Sequence, residues 1–124
     1  MSILPPDKAS FLETAISPDG KLLAFTATAE GKRQLWVRPL HSLAAQPLTG
    51  TELAELQFWS PDSRWIGFVA QGKLKKIEAS GGPAHTLCDV FTVRGGTWNQ
   101  DGVIVYGTQN TGLWRVAAQG GTPA

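Results

Sequence analysis

The chain has 124 residues, of which 42% are apolar and 17% charged, with a formal net charge of +1. This balance fits one globular domain rather than a disordered chain and gives no bulk electrostatic case for nucleic acid or an anionic membrane. The single cysteine, Cys88, excludes an internal disulfide, and His41 and His85 lie too far apart for a compact metal-ligand spacing.

In chain order, Ser2-Ile3-Leu4 is a short candidate strand that Pro5 and Pro6 cut off. The same prolines and Asp7 leave no room for the apolar run of a signal peptide, and no later run is long enough for a membrane helix. The first strong signal is the turn Ser17-Pro18-Asp19-Gly20, preceded by Ile16 and followed by the strand Leu22-Leu23-Ala24-Phe25. A gap at Glu30-Gly31-Lys32 leads to Gln34-Leu35-Trp36-Val37, and a fourth strand is expected near Gln46-Pro47-Leu48-Thr49.

The pattern then recurs. Trp59 and Ser60-Pro61-Asp62-Ser63 precede Trp65-Ile66-Gly67-Phe68, then Gln71-Gly72, Lys75-Lys76-Ile77-Glu78 and His85-Thr86-Leu87-Cys88. Trp98 and Asn99-Gln100-Asp101-Gly102 precede Val103-Ile104-Val105-Tyr106, then Asn110-Thr111-Gly112 and Leu113-Trp114-Arg115-Val116. The aspartates lie 43 and then 39 residues apart. Four short strands per unit of about 40 residues predict an all-β fold, a β-propeller of four-stranded antiparallel blades. The repeats run approximately over 10–50, 51–90 and 91–124 of a single segment.

The turn has a mechanism. Serine bonds back to the backbone, proline presets φ, aspartate accepts backbone N–H groups, and glycine takes the left-handed conformation that closes the hairpin. Ser63 stands where that glycine belongs, so a left-handed Ser63 predicts that Ser63→Gly is neutral or stabilising. The strands are nearly continuous apolar runs, as expected where both faces are covered. Gly67 predicts a close approach by a neighbouring side chain, and Trp36, Trp59, Trp98 and Trp114 are read as inter-blade packing. Cys88 is read as a buried small hydrophobe, and the basic run Lys73 to Lys76 as the solvated part of an outer strand.

These residues resemble the TolB-type branch of WD-repeat-like bacterial β-propellers. The shared pattern spans Ile16 to Phe25 with Leu35-Trp36, Trp59 to Phe68 with Gly81-Gly82, and Trp98 to Tyr106 with Leu113-Trp114 and Gly120-Gly121. The stretch from Pro5 to Thr49 is also similar to propeller regions of some bacterial serine/threonine kinases. The resemblance implies an extracytoplasmic protein-interaction scaffold. Ser63 and Asn99-Gln100 depart from the pattern.

The third unit ends after Gly120-Gly121, so its fourth strand is expected to be missing, with residues 1–6 as the candidate closing strand. Three blades per chain are expected to close into six through a second copy, a homodimer of half-propellers; the alternative is a piece of a longer propeller. No nucleophile elbow, Cys-His pair or kinase motif is present, so the chain is read as non-enzymatic, with no catalytic, cofactor-binding or metal residues. Its alternative is the propeller of a larger prolyl-oligopeptidase-type hydrolase or receptor-like kinase. Ser17, Pro18, Asp19, Gly20, Ser60, Pro61, Asp62, Asp101 and Gly102 are assigned to structural turns. Any binding surface is expected on the opposite face, through Glu52, Glu55, Asp89, Arg94 and Asn110, with Thr51 and Thr111 beside them. Arg94 is the best anchor because a guanidinium makes planar, bidentate contacts. A protein or peptide is the ligand class expected there.

Overall fold

The computed structural model describes residues 9–29, 31–42, 44–109 and 112–124. Eleven strands are found among them: β1 (Ala9–Ile16), β2 (Leu22–Ala29), β3 (Lys32–Pro39), β4 (Gln46–Pro47), β5 (Glu55–Trp59), β6 (Trp65–Ala70), β7 (Lys73–Glu78), β8 (His85–Asp89), β9 (Val93–Trp98), β10 (Val103–Thr108) and β11 (Gly112–Ala117). They form three antiparallel sheets in simple up-and-down order, β1-β2-β3-β4, β5-β6-β7-β8 and β9-β10-β11. Each sheet is one blade.

The recurrent turns set the register. Ile16 pairs with Leu23, Trp59 with Ile66 and Trp98 with Ile104. The first two turns close through Ser17 N–H to the Leu22 carbonyl at 2.9 Å and Ser60 N–H to the Trp65 carbonyl at 2.8 Å. The third is one residue shorter, closing from Asn99 N–H to the Val103 carbonyl at 2.9 Å. Ser63 has φ 62° and matches Gly20 at 74° and Gly102 at 76°, so it does occupy the left-handed position.

Strand alternation gives each blade two apolar faces. The leading face carries Leu23 and Phe25 in blade 1, Ile66 and Phe68 in blade 2, and Ile104 and Tyr106 in blade 3. The trailing face carries Leu35 and Val37 in blade 1 and Val69 and Leu74 in blade 2. One buried cluster joins Ala24, Leu35, Val37 and Leu48 to Ile66, Phe68 and Ile77; a second joins Val69, Leu74 and Leu87 to Ile104, Tyr106 and Val116. Each leading face thus seals the trailing face of the blade before it. Tryptophan does serve this packing: Trp59 is buried and donates its indole N–H to the Ala15 carbonyl of blade 1 at 3.0 Å, while Trp98 and Trp114 line the second cluster. Trp36 packs on the leading face of blade 1 with Leu23 and Phe25.

The third blade has no fourth strand among the described residues, yet its outer edge is not bare. Ala124 exchanges both backbone hydrogen bonds with Arg115, at 2.9 and 3.0 Å. That pairing repeats Gln46 with Val37 and His85 with Lys76, where β4 and β8 begin. The candidate closing strand in residues 1–6 lies outside the described residues.

Candidate interaction faces

The two ends of the blades differ in chemistry. At the turn end, the Ser17 hydroxyl donates to Asp19 Oδ1, which also accepts the Lys21 N–H at 3.0 Å, while Ser17 Oγ accepts the Leu22 N–H at 3.1 Å. Ser60, Asp62, Arg64 and Trp65 repeat this network. The serine hydroxyl first, and then the Lys21 or Arg64 N–H, hold the Asp19 and Asp62 carboxyls below their usual 3.8. In the third turn Asn99 does both jobs, its Oδ1 accepting the Asp101 and Val103 N–H groups at 3.0 Å each. The Asp19 and Asp62 carboxylates are therefore consumed by their own turns. Among the described residues no three His, Cys, Asp or Glu side chains come together as a metal site.

At the opposite end, Glu52 and Glu55 are exposed, Glu55 at the start of β5. Asp89, at the end of β8, pairs with Lys73 at 2.6 Å across two exposed side chains, a contact of little energetic weight. Arg94 is exposed but lies in β9 rather than in a loop. Asn110 and Thr111 lie outside the described residues. Thr51 is fully buried, its hydroxyl donating to the Leu48 carbonyl and accepting the Leu35 N–H, so it ties the blade together and does not face a ligand. Among the described residues, the proposed binding residues are thus spread over β5, β8, β9 and, for Glu52, the connection before β5. Cys88 is only half-buried; burial pushes its thiol up, and burial first, then the adjoining Cys88, pushes Tyr106 up to about 12.

The more telling surface is the trailing face of blade 3, one of the two end faces through which a second copy was expected to close the ring. Leu35 and Leu74 are 0% exposed at the third-strand position of blades 1 and 2; Leu113 holds the same position in blade 3 and is 78% exposed. Arg115 and Ala117 are open beside it. On the other side of this blade, where its leading face meets the end of β8, Asp89, Val90, Phe91, Tyr106, Trp114 and Pro123 are among the residues lining a cleft of about 470 Å³, and Phe91 is 82% exposed. Aligning Leu113 with its buried counterparts was the available signal; Phe91, in a connection without repeat identity, left none.

No family model matches the sequence. The tricorn protease homolog 1 of Streptomyces coelicolor is 31% identical over 81 residues, which is 58% of this chain and 8% of that protein. A protein assigned as TolB from Agrobacterium tumefaciens superposes with a TM-score of 0.77 at 23% identity, over 90% of this chain and 44% of that one. The propeller domain of the Trilobed protease from Pyrococcus furiosus gives 0.71 at 16% identity, over 91% of this chain and 40% of that one. The chain therefore spans less than half the length of each of these proteins.

Proposed function

We propose that this TolB-type β-propeller fold is a three-blade segment of a non-enzymatic protein-interaction scaffold whose ring is completed by further blades. The observation that supports the reading is Leu113, 78% exposed at a position that blades 1 and 2 seal completely. A large aliphatic side chain kept in water at a position of inter-blade packing marks a face meant to be covered. Closed rings hold about four to eight blades, so further blades must come from a second copy of the chain or from a longer parent. Dye binding tests this: 8-anilinonaphthalene sulfonate should bind the chain, and Leu113→Asp should remove most of that signal while leaving the melting temperature within about 3 °C, the shift of a surface change. Wild-type protein that binds no dye and stays monomeric at any concentration would show the face to be complete without a neighbour.

A second reading, a segment of the propeller of a larger peptidase, is favoured by the likeness to the tricorn protease homolog. Peptidase assays on this chain should be blank under either reading.

A further inference from the structure

At the end away from the turns, the seam between blades 2 and 3 is built differently from the seam between blades 1 and 2. In the earlier seam the connection from Leu48 to Ala54 turns inward: Thr51 and Ala54 are both 0% exposed, Ala54 in the cluster with Phe68 and Ala70. In the later seam only Val90, Phe91 and Thr92 join β8 to β9. Val90 is buried, yet Phe91 is 82% exposed. The connection is pinned on both sides of that ring. Val90 N–H donates to the Gly72 carbonyl at 2.9 Å, and the Thr92 carbonyl accepts the Gln109 N–H at 3.2 Å. Thr92 takes φ 50°, a left-handed conformation that strains a β-branched residue. A phenylalanine is thus held in water by a strained backbone, and packing within the chain does not account for it.

Phe91 borders the cleft of about 470 Å³, a volume in the range of ligand pockets. Exposure orders the lining. Val90 and Tyr106, each 4% exposed, form the floor, and Trp114 is a half-buried wall. Phe91 and the Asp89 side chain, 70% exposed, stand at the mouth. The Tyr106 hydroxyl is engaged with the Cys88 side chain, so the floor is apolar in effect. Among the described lining residues Asp89 alone is charged, and its exposed pairing with Lys73 has little energetic weight to defend. An aromatic, apolar floor beneath an acidic mouth matches a large apolar side chain with a basic neighbour: the anchor is desolvated while the charge stays at the wet rim. A lysine or arginine entering by itself would carry its charge past Asp89 to a floor without a carboxylate. The cleft opens on the blade 2 side of blade 3, so a neighbour that seals Leu113 on the opposite face leaves it accessible.

We propose that this cleft docks a segment of a partner protein through a phenylalanine or similarly large apolar side chain flanked by a basic residue. The proposal rests on the reading of the chain as an interaction scaffold and names the site. The probes are the peptide acetyl-Gly-Lys-Phe-Lys-Gly-amide and its Lys-Ala-Lys and Glu-Phe-Glu counterparts. Each is titrated onto the chain and followed by NMR at the Phe91 backbone N–H and the Trp114 indole N–H. Lys-Phe-Lys should bind at least about tenfold more tightly than Lys-Ala-Lys, the scale of burying one ring. It should bind at least about threefold more tightly than Glu-Phe-Glu, the scale of an exposed charge contact. Phe91→Ala should leave the rest of the amide spectrum in place and lose most of the preference for phenylalanine. Asp89→Asn should lose only the preference for lysine. No saturable shift with any peptide, or unchanged binding by folded Phe91→Ala protein, would overturn the inference; dye binding that still falls with Leu113→Asp would then leave the ring-segment reading standing. Self-association of the wild-type chain that Phe91→Ala abolishes would assign the cleft to a second copy and overturn it equally.

Discussion

The phenyl ring of Phe58 offers the sharpest quantitative test of the packing. A Cβ added to Gly67 would lie 2.5 Å from both Cε2 and Cζ of that ring. Ordinary contact begins near 3.4 Å, so Gly67→Ala forces the ring back by nearly an ångström. It cannot retreat freely: beyond it stands Gly96 of blade 3, where an added Cβ would meet the same ring at 3.0 and 3.3 Å. The ring is wedged between two bare backbones, one in its own blade and one in the next. Overpacking of this kind costs about 1–3 kcal/mol. For a chain of this length, between small and large domains, each kcal/mol lowers the melting temperature by about 3–5 °C. Gly67→Ala should therefore melt about 3–15 °C below wild type, followed by tryptophan fluorescence in a thermal scan. In a Phe58→Ala background the same substitution should cost nothing, giving a coupling energy of about 1 kcal/mol or more. An unchanged melting temperature for the single variant, or additive losses in the cycle, would refute the wedge.

Ser63→Gly sets two effects against each other. Relief of the left-handed conformation is worth about 1–2 kcal/mol, while loss of the hydroxyl that accepts the Asp19 N–H at 3.1 Å costs about 0.5–1.5 kcal/mol. The net change should lie between about 1.5 kcal/mol more stable and about 0.5 kcal/mol less stable in urea denaturation, whereas Ser63→Ala, which keeps the strain and loses the bond, should be clearly less stable. The depressed Asp19 and Asp62 carboxyls contribute stability that is present above their unfolded value of 3.8 and lost as pH falls through the lower folded values. Removing both serines, Ser17→Ala with Ser60→Ala, should flatten the acid limb of a stability-against-pH curve below about pH 4. Tyr106, raised from 10.0 to about 12, contributes stability that is complete below pH 10 and lost as pH rises toward 12, and Tyr106→Phe should remove that alkaline decline. The raised Cys88 thiol should react with iodoacetamide at pH 8 more slowly than a free cysteine, and an equal rate would count against its burial.

Much of the architecture was legible because local chemistry and packing agree. A Ser-Pro-Asp-Gly turn dictates a hairpin, and an apolar run on either side dictates a strand covered on both faces. Gly67 announced its close contact for the same reason: only the absence of a side chain explains glycine between Ile66 and Phe68. The turn aspartates were read as equivalent, however, and the third is not. Asn99 carries the hydrogen bonds in a loop shortened by one residue, a change that motif matching hides because Asp101 still aligns. Thr51 looked like a loop residue and proved to be internal wiring, since a hydroxyl can replace a strand partner where the ladder ends.

The hydrogen bonds between blades are unevenly placed, and this has a mechanical consequence. Blades 1 and 2 are fastened at the turn end of their innermost strands, by the Trp59 indole on Ala15 and the Asp19 amide on Ser63. Gly102 puts no hydroxyl at the matching place of the next seam, where the described bond runs instead from Gly121 N–H to the Leu87 carbonyl at the outer rim, a longer 3.3 Å. A pull along the chain would therefore load polar contacts at the turn end of the first seam and at the rim of the second. At the seam beside the unsealed Leu113 the inner strands are held by packing instead, with the Phe58 ring wedged against Gly96.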